Sequence, residues 1–337
     1  MEEREGGAGA FESASLGQYE GCLLGLALGD ALGAPVEFLQ LEQIRVDYGP
    51  EGICGLEPWR DFRAGCFTDD TQMSLATARG CIDAYLSLRH GEPWRPTHAV
   101  YRRYLAWLRT QENQFMNRAP GATCLWSLRT GRMGTIGKPF NSRKGCGGVM
   151  RTAPAGLAFP PGQAFQYGAE FAAITHGHPS GYLPAGVLAD VVARLLEGHS
   201  LDACLDATVA ELKKWPRHEE TLAGLEMARS LSVSGENPGA AIEKLGQGWI
   251  GEEALAISVF CAARYADDWE GGVLSAVNHS GDSDSTGCIT GALLGSALGV
   301  DAIPHAWLEQ LESSSGIRAL ADDLYRVVRE GTEPRSV

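Results

Sequence analysis

Two stretches of the chain carry glycine at every fourth position, which is close to one turn of an α-helix. These glycines are Gly21, Gly25, Gly29 and Gly33 in the first stretch and Gly287, Gly291, Gly295 and Gly299 in the second. Glycine destabilises a helix by about 1 kcal/mol per residue relative to alanine, so the pattern needs a compensating cause. Because a glycine stripe lets another backbone approach closely, we predict two helices that pack tightly in the core.

Small-residue stripes also occur in membrane helices, so that alternative needs a test. The longest apolar stretch, residues 21–38, is interrupted by Asp30 and falls short of the about 20 residues that span a bilayer. A tightly packed soluble core is therefore the favoured interpretation. Residues 21–31 and 291–302 also resemble each other, which leaves an internal repeat open.

Helical patterns dominate the rest of the sequence. In "TDDTQMSLATARGCIDAYLSL", Leu75, Ala78, Ile82 and Leu86 fall on one helical face. Residues 97–111, 183–198, 200–215, 252–266 and 304–315 have the same apolar spacing, whereas strand-like alternation is scarce. The Gly/Pro-rich residues 110–150 predict long loops. We expect an all-α fold with functional loops.

Composition narrows the class of protein. The 337 residues have a net charge of −14, which on average disfavours nucleic acid and anionic membranes as partners. The nine cysteines are odd in number and form no CxxC pair, which indicates reduced thiols rather than disulfides or a zinc site. The acidic, Gly/Ala/Ser-rich residues 1–14 predict a flexible tail and no signal peptide. We expect a cytoplasmic monomer.

Acidic residues concentrate at the predicted starts of two helices. "FTDDTQM" holds Thr68, Asp69 and Asp70, and "GDSDST" holds Asp282, Asp284 and Ser285. One side chain is enough to cap a helix, and adjacent carboxylates repel each other. Mg²⁺ and Ca²⁺ bind carboxylate and hydroxyl oxygens. The residues alone leave capping and metal binding open.

Several other kinds of site are excluded by missing motifs. "DSDSTG" fits the opening of an EF-hand loop, but its twelfth position is Leu293 instead of the required glutamate. The sequence contains no GxSxG nucleophile elbow, no Walker A motif and no Rossmann fingerprint. "GCGGVMR", residues 145–151, fits either a backbone phosphate cradle or a tight turn.

Taken together and in order, the motifs resemble the ADP-ribosylglycohydrolase family over nearly the whole chain. They are "GDALGAPVEF", "FTDDTQMSLATA", "RAPGATC", "PFNSRKGCGGVMRTAPAGL", "THGHPSGYLPAG", "GWIGEEALAISVF" and "GDSDSTGCITGALLGSALG". "RAPG", "PFNS", "HPSGYL" and "GDSDST" are most similar to the branch that removes ADP-ribose from arginine. The dinitrogenase reductase-activating glycohydrolase is also similar.

The resemblance implies a fold and a reaction. The fold is a single orthogonal helical bundle over residues 15–333, with two Mg²⁺ or Mn²⁺ ions in a central cleft. The reaction is hydrolysis of the N-glycosidic bond between ADP-ribose and arginine in mono-ADP-ribosylated proteins. Serine-linked ADP-ribose, a small ADP-ribose derivative and a non-catalytic ADP-ribose-binding or structural role stay open. Because all four aspartates are present, the non-catalytic role is disfavoured.

The resemblance also implies roles for individual residues. The metal ligands are Thr68, Asp69, Asp70, Asp282, Asp284 and Ser285, and Ser285 replaces the threonine that many relatives have. The catalytic residues are Glu37, Asp69, Asp70 and Asp284, with Glu37 or Asp284 accepting a proton from water.

Contacts to ADP-ribose follow from the same motifs. They are Asn141, Ser142, Gly145, Cys146, Gly147, Gly148, Met150, His176 and Tyr182. His178 is an alternative to His176 for a phosphate or ribose, although each histidine is also a structural candidate. Tyr182, Phe140 and Trp249 are candidates to stack on adenine. Some relatives have an aspartate before "PG", where "NRAPG" has none, so Glu112 is a candidate for arginine recognition.

Overall fold

The computed structural model describes residues 14–335, and helices account for most of them. The sixteen α-helices in this range are α1 (Leu16–Gly33), α2 (Leu41–Tyr48), α3 (Asp69–Arg89), α4 (Pro96–Thr110), α5 (Ala122–Arg129), α6 (Ala153–Ala158), α7 (Gln163–Ala173), α8 (Pro179–Leu195), α9 (Leu201–Leu212), α10 (Glu219–Ser232), α11 (Pro238–Leu245), α12 (Gly251–Arg264), α13 (Trp269–Val277), α14 (Ser283–Leu298), α15 (His305–Gln310) and α16 (Ser314–Tyr325). Extended backbone in residues 14–335 forms only isolated β-bridges. The predicted all-α class is confirmed.

The two glycine stripes meet along the seam between α1 and α14. A Cβ built on Gly29 would lie 2.0 Å from the carbonyl oxygen of Gly287, and one on Gly291 would lie 2.1 Å from that of Gly25. Only glycine permits this separation, which confirms the predicted close packing. Successive contacts run forward along α1 and backward along α14, so the helices are antiparallel. The end of α1 therefore lies beside the start of α14.

Asp30 ties the start of a third helix to the same place. It is fully buried in the last turns of α1, and its carboxylate accepts hydrogen bonds from Thr68 N (2.9 Å), Thr71 N (2.9 Å) and Thr71 Oγ1 (2.6 Å). These donors belong to the first turn of α3 and its cap. The acidic starts of α3 and α14 consequently converge at one end of α1.

Close packing of small residues continues around α8, most of which is buried. A Cβ on Gly156 of α6 would lie 2.4 Å from Ala189 O, and one on Gly168 of α7 would lie 2.6 Å from Ala185 O. On α3, the predicted face is buried at Leu75, which is 9% exposed. These contacts surround the convergent helix ends with a rigid core.

Two predictions of local structure are wrong. Residues 110–150 were predicted to be loops but contain α5, whose eight residues are short enough for the flanking glycines and proline to obscure them. The predicted helix at 304–315 ends at Gln310, because Leu311 is extended and Ser313 has φ 55° before α16 begins. The predicted tail lies outside the described residues except for Ala14. None of the helices described here is long and apolar enough to cross a membrane.

Candidate active site

A cavity of about 320 Å³ lies where the ends of α1, α3 and α14 meet. Its acidic wall consists of Glu37, Asp69, Asp70, Asp282 and Asp284, with Ser285 beside them. Other parts of the wall come from residues 119–124 and from the glycine-rich residues 145–147. Residues more than 200 positions apart in the chain thus share one cavity.

The carboxylates lie close enough to act on one ion or one substrate atom. One oxygen each from Glu37, Asp282 and Asp284 lie within 4.8 Å of one another. The hydroxyl of Ser285 donates a 2.8 Å hydrogen bond to Asp70 Oδ2, which joins the α14 side of the cluster to the α3 side. The two acidic motifs therefore form a single cluster.

Helix capping fixes part of this cluster. Thr68 Oγ1 accepts a hydrogen bond from Asp70 N at 3.2 Å, and Asp282 Oδ1 accepts one from Ser285 N at 3.3 Å. Asp69 Oδ2 accepts the N–H of Gly121 at 3.3 Å, which attaches the 119–124 segment to α3. The capping interpretation is thus correct for Thr68, which is buried and does not line the cavity, and for Asp282, which lines the cavity as well as capping α14.

The cluster concentrates negative charge in a buried place. Burial raises the pKa of Asp70 well above its ordinary value, and the negative charge of the neighbouring Asp69 is the second cause. The pKa of Asp284 is also raised well above its ordinary value, first by burial and then by the charge of Glu37. Burial, then the charges of Asp282 and Asp69, raises the pKa of Glu37 to about 8. A hard divalent cation reverses this repulsion. The carboxylate and hydroxyl oxygens present here fit such a cation.

A buried histidine presents a defined face to the cavity. Arg151 Nη2 donates to Thr175 Oγ1 at 2.6 Å, and the Thr175 hydroxyl lies 2.8 Å from His176 Nδ1. The Thr175 hydroxyl thus engages Nδ1, and the other ring nitrogen, Nε2, lies on the side of the glycine-rich segment, 3.6 Å from a Cβ built on Gly145. Burial, with the charges of Arg151 and Arg143, lowers the pKa of His176 to about 3. The His176 ring is therefore neutral at neutral pH.

The glycine-rich segment is attached directly to the acidic cluster. Cys146 Sγ donates to Asp282 Oδ2 at 2.8 Å, and Cys146 N donates to Trp249 O at 3.1 Å. A Cβ on Gly147 would lie 3.3 Å from His176 Cε1, so the segment passes close to the imidazole. Of the predicted ADP-ribose contacts, Gly145, Cys146, Gly147, Met150 and His176 line the cavity.

Other predicted contacts lie behind this wall. The Asn141 amide donates to Thr175 O at 2.9 Å and accepts from Gly177 N at 3.0 Å, while Ser142 is exposed. A Cβ on Gly148 would lie 2.6 Å from Gly181 O, and Tyr182 is buried. These residues shape the loop that carries the cavity wall.

The structure also separates the predicted alternatives. The His178 ring caps α8 by accepting from Ser180 N at 3.1 Å. The Phe140 ring packs against Trp126, with centroids 5.9 Å apart. Of the aromatic candidates for adenine, Trp249 lines the cavity, and Glu112 is exposed on the loop after α4.

Three residues around the site were not predicted from sequence. Asp30 holds the start of α3, and its signal is an acid within an otherwise apolar glycine stripe. Arg118 anchors the loop between α4 and α5, in which it lies. Its guanidinium donates hydrogen bonds to Phe67 O at 3.2 Å and to both carboxylate oxygens of Glu312. Phe38 stacks on Trp249 at the cavity wall, for which the sequence gives no signal.

Comparison with known proteins agrees with these features. A model of the ADP-ribosylglycohydrolase family matches residues 12–334. The ADP-ribosyl-[dinitrogen reductase] glycohydrolase of Rhodospirillum rubrum is 28% identical and covers 87% of this chain and 89% of its own length. The ADP-ribosylhydrolase ARH3 of Bos taurus is 25% identical, with 96% of both chains covered.

An arginine-directed enzyme is also similar. The ADP-ribosylarginine hydrolase Tri1 of Pseudomonas putida is 28% identical and covers 92% of this chain and 78% of its own length. A solved chain of an ADP-ribosylglycohydrolase-related protein complex has a TM-score of 0.70 and 28% identity, with 93% of this chain and 98% of that chain covered. The chain is a member of the ADP-ribosylglycohydrolase family.

Proposed function

We propose that the protein hydrolyses the N-glycosidic bond between ADP-ribose and arginine in mono-ADP-ribosylated proteins, in the presence of Mg²⁺. The observation that carries the proposal is the convergence of both acidic motifs and Glu37 in one cavity beside the glycine-rich segment. The products are ADP-ribose and an unmodified arginine, so the reaction reverses the modification. We propose that the enzyme acts as a monomer in the cytoplasm. The nine free cysteines support the location, because the cytoplasm keeps thiols reduced.

Two Mg²⁺ or Mn²⁺ ions would be held between α3 and α14. The proposed ligands are Thr68, Asp69, Asp70, Asp282, Asp284 and Ser285. Four carboxylates balance the four positive charges of two divalent ions, which explains why so many acids share a buried place. When bound, the ions supply Lewis acidity to the ribose hydroxyls.

The chain's own groups handle the remaining chemistry. Cleavage at C1″ of the ribose builds positive charge, which the carboxylates of Asp69 and Asp70 stabilise electrostatically. Glu37 or Asp284 accepts the proton of the attacking water, because both carboxylates belong to the 4.8 Å cluster. The water oxygen bonds to C1″ as the C1″–N bond breaks with its electron pair on nitrogen. The water proton held by the base passes to that nitrogen, so arginine leaves as its guanidinium.

ADP-ribose would extend from this cluster along the glycine-rich segment. Gly145 and Gly147 have no side chain to keep the diphosphate away from their backbone, whereas Cys146 already donates its N–H to Trp249 O. His176 contacts a phosphate or ribose oxygen through Nε2, which lies beside Gly145 and Gly147. Met150 closes the wall beneath them, since its sulfur lies 3.9 Å from the Ser285 hydroxyl.

Arginine is favoured over serine by the motifs that resemble the arginine-directed branch and by the likeness to Tri1. Serine-linked ADP-ribose is the second candidate, because the family includes hydrolases with other substrates. Matched proteins modified on arginine or on serine, incubated with the enzyme and Mg²⁺, separate the two. We expect release from arginine, and release from serine alone would refute the arginine assignment.

Variants connect this activity to the acidic cluster. Replacing Asp69 and Asp70 by asparagine should abolish turnover, since both metal ligation and charge are lost. Asp83→Asn is the matched control, because Asp83 lies on the same helix but pairs with Arg103 outside the cavity. Unchanged turnover in the double variant would refute the proposed metal centre.

A further inference from the structure

Two stacked aromatic rings form part of the cavity wall and have no role in the hydrolysis described above. The centroids of Phe38 and Trp249 are 5.0 Å apart, and the ring planes differ by 23°. Both residues line the cavity that contains the carboxylates, and Phe38 is 62% exposed. This pair, the aromatic wall, is therefore open to a ligand.

The backbone holds Phe38 in a conformation that its side chain disfavours. Its φ of 70° lies in the left-handed region, which a residue with a bulky side chain rarely adopts. Its N–H donates to Gly281 O at 3.1 Å, directly before the cluster residue Asp282. An exposed ring gains little from burial, so packing alone does not offset this strain.

Trp249 is fixed to the same cluster from the other side. Its carbonyl accepts from Cys146 N at 3.1 Å, and Gln247, two residues earlier, accepts the N–H of Asp282 at 2.8 Å. The indole N–H donates to Gln247 Oε1 at 3.1 Å, which satisfies the polar edge of the ring. What the wall presents to a ligand is its π surface.

The chemistry around the wall selects a planar cation. Phe38 follows Glu37 in the chain, and the Glu37 carboxylate belongs to the acidic cluster, so the wall borders the place where the glycosidic bond breaks. Aromatic faces attract a guanidinium by cation–π interaction and stacking, and nearby carboxylates strengthen the attraction. The hydroxymethyl side chain of serine offers neither charge nor a planar surface.

We propose that Phe38 and Trp249 determine specificity by stacking on the guanidinium of the modified arginine. The inference rests on the proposed arginine hydrolysis and adds the residues that recognise the leaving group. It also gives Trp249 a role other than stacking on adenine. The ADP-ribose portion of the substrate then depends on the wall much less than the arginine portion does.

The test uses Phe38→Leu, which keeps an apolar side chain at this position but removes the π face. Three quantities are measured with Mg²⁺: kcat/KM on arginine-modified protein, kcat/KM on serine-modified protein, and the dissociation constant of ADP-ribose by calorimetry. For arginine we expect kcat/KM to fall about 3- to 30-fold, the range that cation–π energies predict. Release from serine and the affinity for ADP-ribose should change less than about twofold, because neither contains a guanidinium.

Phe115→Leu is the matched control, because Phe115 is 68% exposed and does not line the cavity. It should leave all three quantities unchanged. A loss of ADP-ribose affinity as large as the loss on arginine would assign the wall to adenine and overturn the inference. An equal loss on arginine and serine, or no loss on arginine, would overturn it as well. If the wild-type enzyme releases nothing from arginine, the proposed function fails and the inference fails with it.

Discussion

Gly29→Ala tests whether the glycine seam positions the acidic cluster. The added Cβ would lie 2.0 Å from the carbonyl oxygen of Gly287, whereas ordinary contact begins at 3.4 Å. The obstacle is backbone, so no side-chain rotation relieves it. The two helices would have to separate by about 1.4 Å, the difference between those distances.

The energetic cost follows from this displacement. Overpacking a well-packed core costs about 1–3 kcal/mol, and a gap along the rest of the seam weakens its dispersion contacts further. Removing a glycine from the helix gives back about 1 kcal/mol. Because the weakened seam contacts add to the overpacking cost, we expect the free energy of unfolding to fall by about 1–2 kcal/mol. Because Asp30 follows Gly29 and holds the start of α3, binding of Mg²⁺ should weaken too.

Equilibrium unfolding in urea, followed by circular dichroism, measures the free energy of unfolding of Gly29→Ala. Calorimetry measures its affinity for Mg²⁺. Gly17→Ala is the control on the same helix, because its Cβ would meet nothing closer than Ser15 Oγ at 3.8 Å. That variant should be as stable as the wild type or slightly more stable. If Gly29→Ala unfolds at the same urea concentration as Gly17→Ala, the seam does not depend on glycine and the reasoning is refuted.

Asp30→Asn should lower the free energy of unfolding by about 1–3 kcal/mol and reduce turnover, because donors from Thr68 and Thr71 lose their charged acceptor. Urea unfolding and a turnover assay measure these two changes, and wild-type values in both would contradict the prediction. Burial raises the pKa of Asp69 from 3.8 to about 8, and that of Glu37 to about 8, so the folded metal-free protein binds more protons than the unfolded chain between those values. Its stability should therefore fall as pH rises from about 6 to 8. Thermal unfolding at pH 6 and pH 8, once in EDTA and once with saturating Mg²⁺, checks this prediction. Mg²⁺ should stabilise the protein more at pH 8 than at pH 6, and a metal-free protein that gains stability from pH 6 to 8 would contradict it.

The sequence was sufficient to predict the parts of the fold that follow from local pattern. The four-residue glycine repeats that contain Gly29 and Gly287 predicted two helices in close contact. The periodicity of the apolar residues predicted the buried face of α3. The helix α5 was missed because eight residues between glycines give too little periodic signal. The end of α15 depends on the backbone angles at Ser313, which composition does not reveal.

The site divides in the same way. The motifs pointed to the acids that the structure brings together, because each motif combines more carboxylates than capping requires. Asp30 was noted only as an acid that interrupts an apolar stretch, because its hydrogen bonds to the start of α3 depend on how two helices meet. The position of Phe38 in the cavity wall could not be predicted from the sequence, because it depends on a positive φ and on a partner ring about 210 residues away.

The central claim is that the converged acidic motifs form a metal-dependent hydrolytic site for ADP-ribosylated arginine. The most direct measurement is ADP-ribose release from arginine-modified protein by enzyme stripped with EDTA and then titrated with Mg²⁺. The account predicts no release from the stripped enzyme and release that rises to saturation as Mg²⁺ is restored. Release that continues in EDTA, or none at saturating Mg²⁺, would contradict it.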